Sequence, residues 1–155
     1  MNFKDADAIF KRYERLKGMR GTWESHWEEI AERVLPRSSE FTGARTPGDK
    51  RTQKLYDATS ALALERFAAA VESLLTPRGA KWHTLRASEP DLNEDPEVAT
   101  WFDNVERILF HYRYAPRANF ASQMHESYLS LGAFGTGAIF VDEKFDEDFR
   151  YRAVH

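Results

Sequence analysis

Two histidine–carboxylate pairs and one basic stretch are the residues whose types and spacing could do chemistry in this chain. His26 and Glu29 stand at i and i+3 of a helical pattern, a spacing that metal ligands use. No second histidine or carboxylate follows at matching spacing, and both residues also fit the solvated face opposite Trp23 and Trp27. His125 and Glu126 could form an acid/base pair by adjacency, but neighbouring helical residues point in different directions. His111 falls at a helix C-terminus, where a cation suits the dipole. His83 lies in an extended stretch with no partner evident in the sequence.

Other arrangements fail on order or spacing. Gly132-x-x-Gly135-x-Gly137 precedes a strand, whereas phosphate-cradling loops follow a strand and open a helix. A helix C-cap with a tight turn accounts for these glycines better. The acidic run Asp142, Glu143, Asp146, Glu147 and Asp148 lacks calcium-loop spacing and reads as a solvated hairpin tip. There is no Gly-x-Ser-x-Gly elbow. With no cysteine, disulfides, thiolate zinc sites and cysteine nucleophiles are excluded. The expectation is a protein without catalytic, cofactor or metal residues.

The basic stretch is different in kind. Residues 37–54 carry Arg37, Arg45, Lys50, Arg51 and Lys54 against Glu40 and Asp49. These five cations are the candidate contacts to a phosphate backbone or to a neighbouring subunit. Phe41 and Tyr56 are the limited aromatic company. The same composition also suits a mobile, solvated loop. Gly43, Pro47 and Gly48 make this the longest irregular stretch, and loops of such length are usually functional or disordered.

Bulk properties bound the rest. At 155 residues the chain is expected to be one domain, 1–155. With 42% hydrophobic and 30% charged residues it is globular rather than disordered. A formal charge of -3 does not suggest bulk nucleic-acid binding. No apolar run approaches membrane-spanning length, and the first residues lack the apolar core of a signal peptide. A cytoplasmic protein of the producing cell is therefore expected.

About five helices and a hairpin would position these residues. The first helix is expected over about Asp5 to Lys17, with Ile9, Tyr13 and Leu16 on one face and Phe10 beside them. Gly18 and Gly21 suggest a break. Thr22 then caps a second helix that buries Trp23, Trp27, Ile30, Ala31 and Val34 and stops at Pro36. Asp57 or Thr59 caps a third, about Ser60 to Leu75, whose wide apolar surface marks it as central. Trp82 to Ala87 reads as a strand. Asp95-Pro96 opens a helix through Tyr112 that buries Val98, Trp101, Phe102, Val105, Ile108, Leu109 and Tyr112. A fifth helix runs from about Asn119 to Leu131. Ala138 to Glu143 and Phe149 to Val154 form the hairpin. The fold class is α+β, mostly helical with a small antiparallel sheet.

The stretch Leu74 to Trp82, Leu-Leu-Thr-Pro-Arg-Gly-Ala-Lys-Trp, ends the central helix, makes a Pro/Gly turn and leads with tryptophan into an extended segment. Its company matters. Upstream lie Trp23-x-x-x-Trp27-x-x-Ile30-Ala31-x-x-Val34-Leu35-Pro36 and Leu55-Tyr56-Asp57-Ala58-Thr59. Downstream lie Asn119-Phe120, then Met124-x-Glu126-x-Tyr128-x-x-Leu131-Gly132, then Gly135-Thr136-Gly137-Ala138-Ile139-Phe140-Val141. In this order, from about Tyr13 to Ala153, the chain resembles the N-terminal part of a tailed-bacteriophage portal protein, the head-to-tail connector of short-tailed phages.

That resemblance implies a structural role in the virion, at the portal vertex of the capsid, after assembly in the host cytoplasm. It implies a homo-oligomeric ring of about a dozen subunits, through which double-stranded DNA is packaged and ejected. Terminase, tail adaptors and capsid or scaffold proteins would be the partners. It places these residues in the outer, wing-like part of the subunit and implies a chain that continues after His155. The uneven charge also suggests that the basic 37–54 loop and the acidic 142–148 tip complement each other between ring neighbours. Two further readings stay open: a small α+β module binding a protein or nucleic acid through residues 37–54, and a metal-dependent hydrolase or nuclease built on scattered carboxylates.

Overall fold

In the computed structural model, residues 3–36, 48, 55–144 and 147–154 are described. Among the described residues there are four α-helices and one antiparallel strand pair: α1 (Phe3–Val34), α2 (Thr59–Leu75), α3 (Pro96–Arg113), α4 (Phe120–Phe134), β1 (Ala138–Lys144) and β2 (Glu147–Val154). A 3-10 turn, Pro90–Asn93, precedes α3. The class is α+β and mostly helical, as expected, with one α-helix fewer. Among the described residues no helix is long and apolar enough to cross a membrane. The chain groups into two compact units, Met1–Ala63 and Leu64–His155.

In the first unit, the break expected at Gly18 and Gly21 does not occur; α1 is one helix of 32 residues. Each interior glycine costs only about 1 kcal/mol, which a long helix absorbs. The i,i+4 pairs Arg20–Glu24 at 3.2 Å and Glu29–Arg33 at 2.8 Å brace it. Trp23 and Trp27 approach to 6.1 Å, with the Arg20 guanidinium 5.3 Å from the Trp27 ring. The expected burial is only partly realised. Ala31 and Leu35 are buried, but Trp23 is 59% exposed, and Ile9, Tyr13 and Leu16 are also exposed. Periodicity marks an apolar face; it does not say that a neighbour covers it. At the start of α2 the Asp57 carboxylate accepts hydrogen bonds from Thr59 N–H at 3.0 Å and Thr59 Oγ1 at 2.7 Å, which hold its pKa below the ordinary value. Ser60 Oγ donates to the Arg33 carbonyl at 2.9 Å.

The second unit is built around α4. Its buried residues include Leu64 and Ala68 from α2, Ala118, and Phe120, Tyr128 and Leu129 from α4. Asp95 caps α3 as expected, accepting from Glu97 N–H at 2.8 Å with Pro96 in the first turn. The inward face of α3 departs from expectation. Glu106 is its most buried residue at 2% exposure, while Trp101, Ile108 and Tyr112 are exposed. The segment Trp82 to Ala87, expected as a strand, forms no regular element and pairs with no strand among the described residues. Two of its amides are taken by side chains: Leu85 N–H by Glu106 and Ala87 N–H by Asn93.

β1 and β2 are antiparallel, with Phe140 opposite Arg152, Val141 opposite Tyr151 and Asp142 opposite Arg150, and an irregularity between Asp142 and Lys144. An isolated two-stranded hairpin is marginal. Here the outer edge of β2 is tied down: Tyr151 N–H donates to the Ala118 carbonyl at 3.0 Å and Ala153 N–H to Gln123 Oε1 at 2.7 Å. α4 ends at Gly135, whose φ of 75° is left-handed and whose N–H donates to the Leu131 carbonyl at 2.9 Å. Gly137 meets Ser127 so closely that an added Cβ would lie 2.5 Å from Ser127 Oγ and 2.6 Å from its carbonyl oxygen.

These contrasts give opposite expectations for two glycines. Gly18→Ala, where no atom lies within 4 Å of the added Cβ, should stabilise α1 by about 0.5–1 kcal/mol. Gly137→Ala should destabilise the second unit by about 1–3 kcal/mol through overpacking. Denaturant titrations by circular dichroism check both; a Gly18→Ala variant with reduced helicity would contradict the unbroken helix.

Candidate functional site

The residues expected to contact DNA or a neighbour, Arg37, Arg45, Lys50, Arg51 and Lys54, lie outside the described residues. Among the described residues, polar and aromatic side chains converge within the second unit, where the segment after α2 crosses α3.

The centre is Glu106. Its Oε1 accepts from Leu85 N–H at 2.5 Å, and the Lys81 ammonium stands 2.5 Å from Oε2. Lys81 is the counter-charge to this buried oxygen. Lys81 is half-exposed and also reaches Asp103 at 3.4 Å. Lys81 first, and then the Leu85 amide, hold the Glu106 carboxyl below its ordinary pKa against the opposing effect of burial. The Lys81 ammonium is pushed up, chiefly by its bond to Glu106. A shallow cleft beside this pair is lined by Thr84, Arg86, Asn93, Phe102, Asp103 and Glu106.

Aromatic rings gather one turn further along α3. Trp82 lies edge-on to Phe110 at 5.8 Å and parallel to Phe120 at 6.1 Å. The Arg113 guanidinium sits 4.9 Å from the Trp82 ring, 5.5 Å from Phe120 and 5.9 Å from Phe110. Tyr114 and Tyr151 meet Phe120 edge-on at 5.3 and 4.9 Å. The polar tips of Trp82, Tyr114 and Tyr128 are satisfied in a chain. Trp82 Nε1–H donates to Tyr114 Oη at 3.0 Å, Tyr114 O–H donates to the Thr76 carbonyl at 3.3 Å, and Thr76 Oγ1 shares a 3.0 Å hydrogen bond with Tyr128 Oη.

The histidines fall out differently from their sequence reading. His83 does have partners: it stacks on Phe110 at 4.7 Å and meets Arg113 Nη1 at 3.2 Å through Nδ1. Burial first, and then the Arg113 charge, push its pKa down. His125 does not pair with Glu126; its ring meets Glu72 and Glu65 of α2. Sequence reasoning missed both partners because they lie far away along the chain. His26 and Glu29 are exposed, and Glu29 is paired with Arg33. His111 is exposed in the last turn of α3. Among the described residues no three histidines or carboxylates come together as a metal site.

This arrangement orders a backbone rather than presenting reactive groups. Glu106 is committed to Lys81 and Leu85, and His83 to rings and a guanidinium. Because the folded pKa of Glu106 is depressed, its stabilisation is present above the ordinary value of 4.5 and is lost as pH falls through the folded value. Lys81→Met should lower the Tm at neutral pH and remove the part of the acid-side loss that Glu106 causes. An unchanged neutral-pH melt would show that the buried carboxylate does not need the ammonium.

A family model described as bacteriophage head to tail connecting protein matches residues 6–155. The chain is 34% identical over 139 residues to a probable portal protein of Bordetella phage BPP-1, covering 89% of this chain and 25% of that protein. It is 30% identical over 145 residues to a portal protein of Salmonella phage epsilon15, covering 93% of this chain and 26% of that protein. The chain thus spans about a quarter of the length of these curated relatives. Matched over nearly its whole length, it belongs to the bacteriophage head to tail connecting protein family.

Proposed function

We propose that this chain is the N-terminal, wing-like region of a portal subunit, a structural component of the ring through which phage DNA is packaged and ejected. The observation that carries this reading is the family match across residues 6–155, joined by two relatives that are themselves named portal proteins. The commitment of the buried polar groups to internal contacts suits a mechanical part, and no catalytic role is assigned to it. ATP hydrolysis would belong to a separate motor, the terminase, which docks on the ring; tail adaptors would follow it. Residues 1–155 would act as one domain in the assembled subunit.

A ring of identical subunits uses two different, complementary faces on each copy. The basic residues Arg37, Arg45, Lys50, Arg51 and Lys54 are proposed to contact either a neighbour or DNA, with the acidic stretch 142–148 as the complementary surface. Opposite charges on two faces would set register and speed association more than they would add affinity.

The test is the native mass of the full-length protein by light scattering, with negative-stain images. Rings of about a dozen chains with a central hole are expected, and the Arg51→Glu/Lys54→Glu double variant should assemble less well at low salt. A monomeric full-length protein would overturn the portal reading. Unchanged assembly of the double variant would overturn only the charge pairing.

A further inference from the structure

His125 on α4 stands between two carboxylates of α2. Its Nδ1 is 3.0 Å from Glu72 Oε2 and its Nε2 is 3.1 Å from Glu65 Oε2. A neutral imidazole carries one N–H, so its other nitrogen is an acceptor. An acceptor 3 Å from a carboxylate oxygen is repelled. Both contacts are favourable together only when the trio holds one more proton than a neutral ring and two carboxylates would hold. The simplest such state is the imidazolium donating to both.

The surroundings isolate this trio. Arg78 lies 3.4 Å from Glu72 Oε1, on the side away from the histidine contact. Phe120, Gln123 and Ser127 form the face of α4 that meets the hairpin and the turn before it, through Tyr151, Ala153 and Gly137. His125, Tyr128 and Gly132 form the face that meets α2 and Thr76 just after it. Among the described residues, the charged groups facing the ring are thus Glu65 and Glu72 from α2, with Arg78 behind Glu72. The adjacent Glu126 on α4 points elsewhere. Beside this contact α2 and α4 approach closely: a Cβ on Gly132 would lie 2.6 Å from Leu64 Cδ1 and 2.8 Å from Phe67 Cδ1.

We propose that His125 is a proton-operated latch, clamping α4 to both carboxylates of α2 while its ring carries two protons and releasing one carboxylate when it carries one. The released state has an added negative charge at this contact, so the α2–α4 junction loosens as the proton leaves. Burial by itself would push the pKa of the ring down; the hydrogen bonds to Glu65 and Glu72 outweigh it, and the net direction is up. The sign follows. A folded value above the ordinary 6.5 means stabilisation that is complete below 6.5 and lost as pH rises through the folded value. His83 acts oppositely, because its depressed value removes stability as pH falls below the ordinary range.

The test is an NMR titration of the histidine rings in the whole chain from about pH 5.5 to about pH 8.5, with His125→Gln assigning the resonance. The expected midpoint lies above 6.5 and moves down in Glu65→Gln, a half-exposed position where the variant should still fold. In thermal melts, the stability gap between the native chain and His125→Gln should be largest near the acid end of this range and shrink towards its basic end. A midpoint at or below 6.5, a midpoint unmoved by Glu65→Gln, or a gap that does not change with pH would each overturn the latch. Should His125→Gln not fold, the resonance that shifts in Glu65→Gln identifies the ring, and the same midpoint criteria apply.

Discussion

A carboxylate removed from water must find a counter-charge and donors, or it will not stay ionised. Glu106 is that carboxylate here, and much of the second unit is arranged to meet its demand. Lys81 and the Leu85 amide satisfy it, both from the segment that follows α2. Two anchor points four residues apart set the register of that segment along α3. With Lys81 and Leu85 held at Glu106, Trp82 and His83 fall beside Phe110 and Arg113, one to two turns further along the helix. The aromatic cluster is in this sense a consequence of one ionic contact.

From there the order spreads by contact. Phe120 receives Trp82, Tyr114 and Tyr151, which links the segment after α2, the end of α3, the start of α4 and β2. The hydroxyls of Tyr114, Tyr128 and Thr76 and the indole N–H of Trp82 are used among themselves and on the Thr76 carbonyl. Net hydrogen bonds of this kind are worth about 0.5–1.5 kcal/mol each, so their larger effect is specificity: they fix the orientations of the Trp82, Tyr114 and Tyr128 rings.

Local signals accounted for much of this fold. The Asp95-Pro96 start of α3, the glycine-led end of α4 and the alternating hairpin each follow from the chemistry of one or two residues, and each stands where such chemistry puts it. The failures share a cause. Gly18 and Gly21 read as a break because glycine weakens helices, but a weak residue inside a long helix is a cost, not a stop. Trp82 to Ala87 reads as a strand because its residue types suit extended backbone; the partner that arrived was the helix α3, not another strand. Trp101 and Ile108 read as buried because an apolar stripe identifies a face without naming what covers it.

The candidate chemistry divides along the same line. Residue types and their order along the chain were enough to set aside phosphate loops, thiol chemistry and nucleophile elbows, to mark the basic 37–54 stretch, and to bring out the likeness to portal proteins later met in the family match. They could not say that His125 belongs with Glu65 and Glu72, or that Glu106 is the buried centre of α3. The reason is physical. Turns, caps and periodicity act over a few residues, whereas these pairings join groups 21 to 60 positions apart. Which of many carboxylates is stripped of water, and which cation or ring then stands beside it, is settled only when the helices pack.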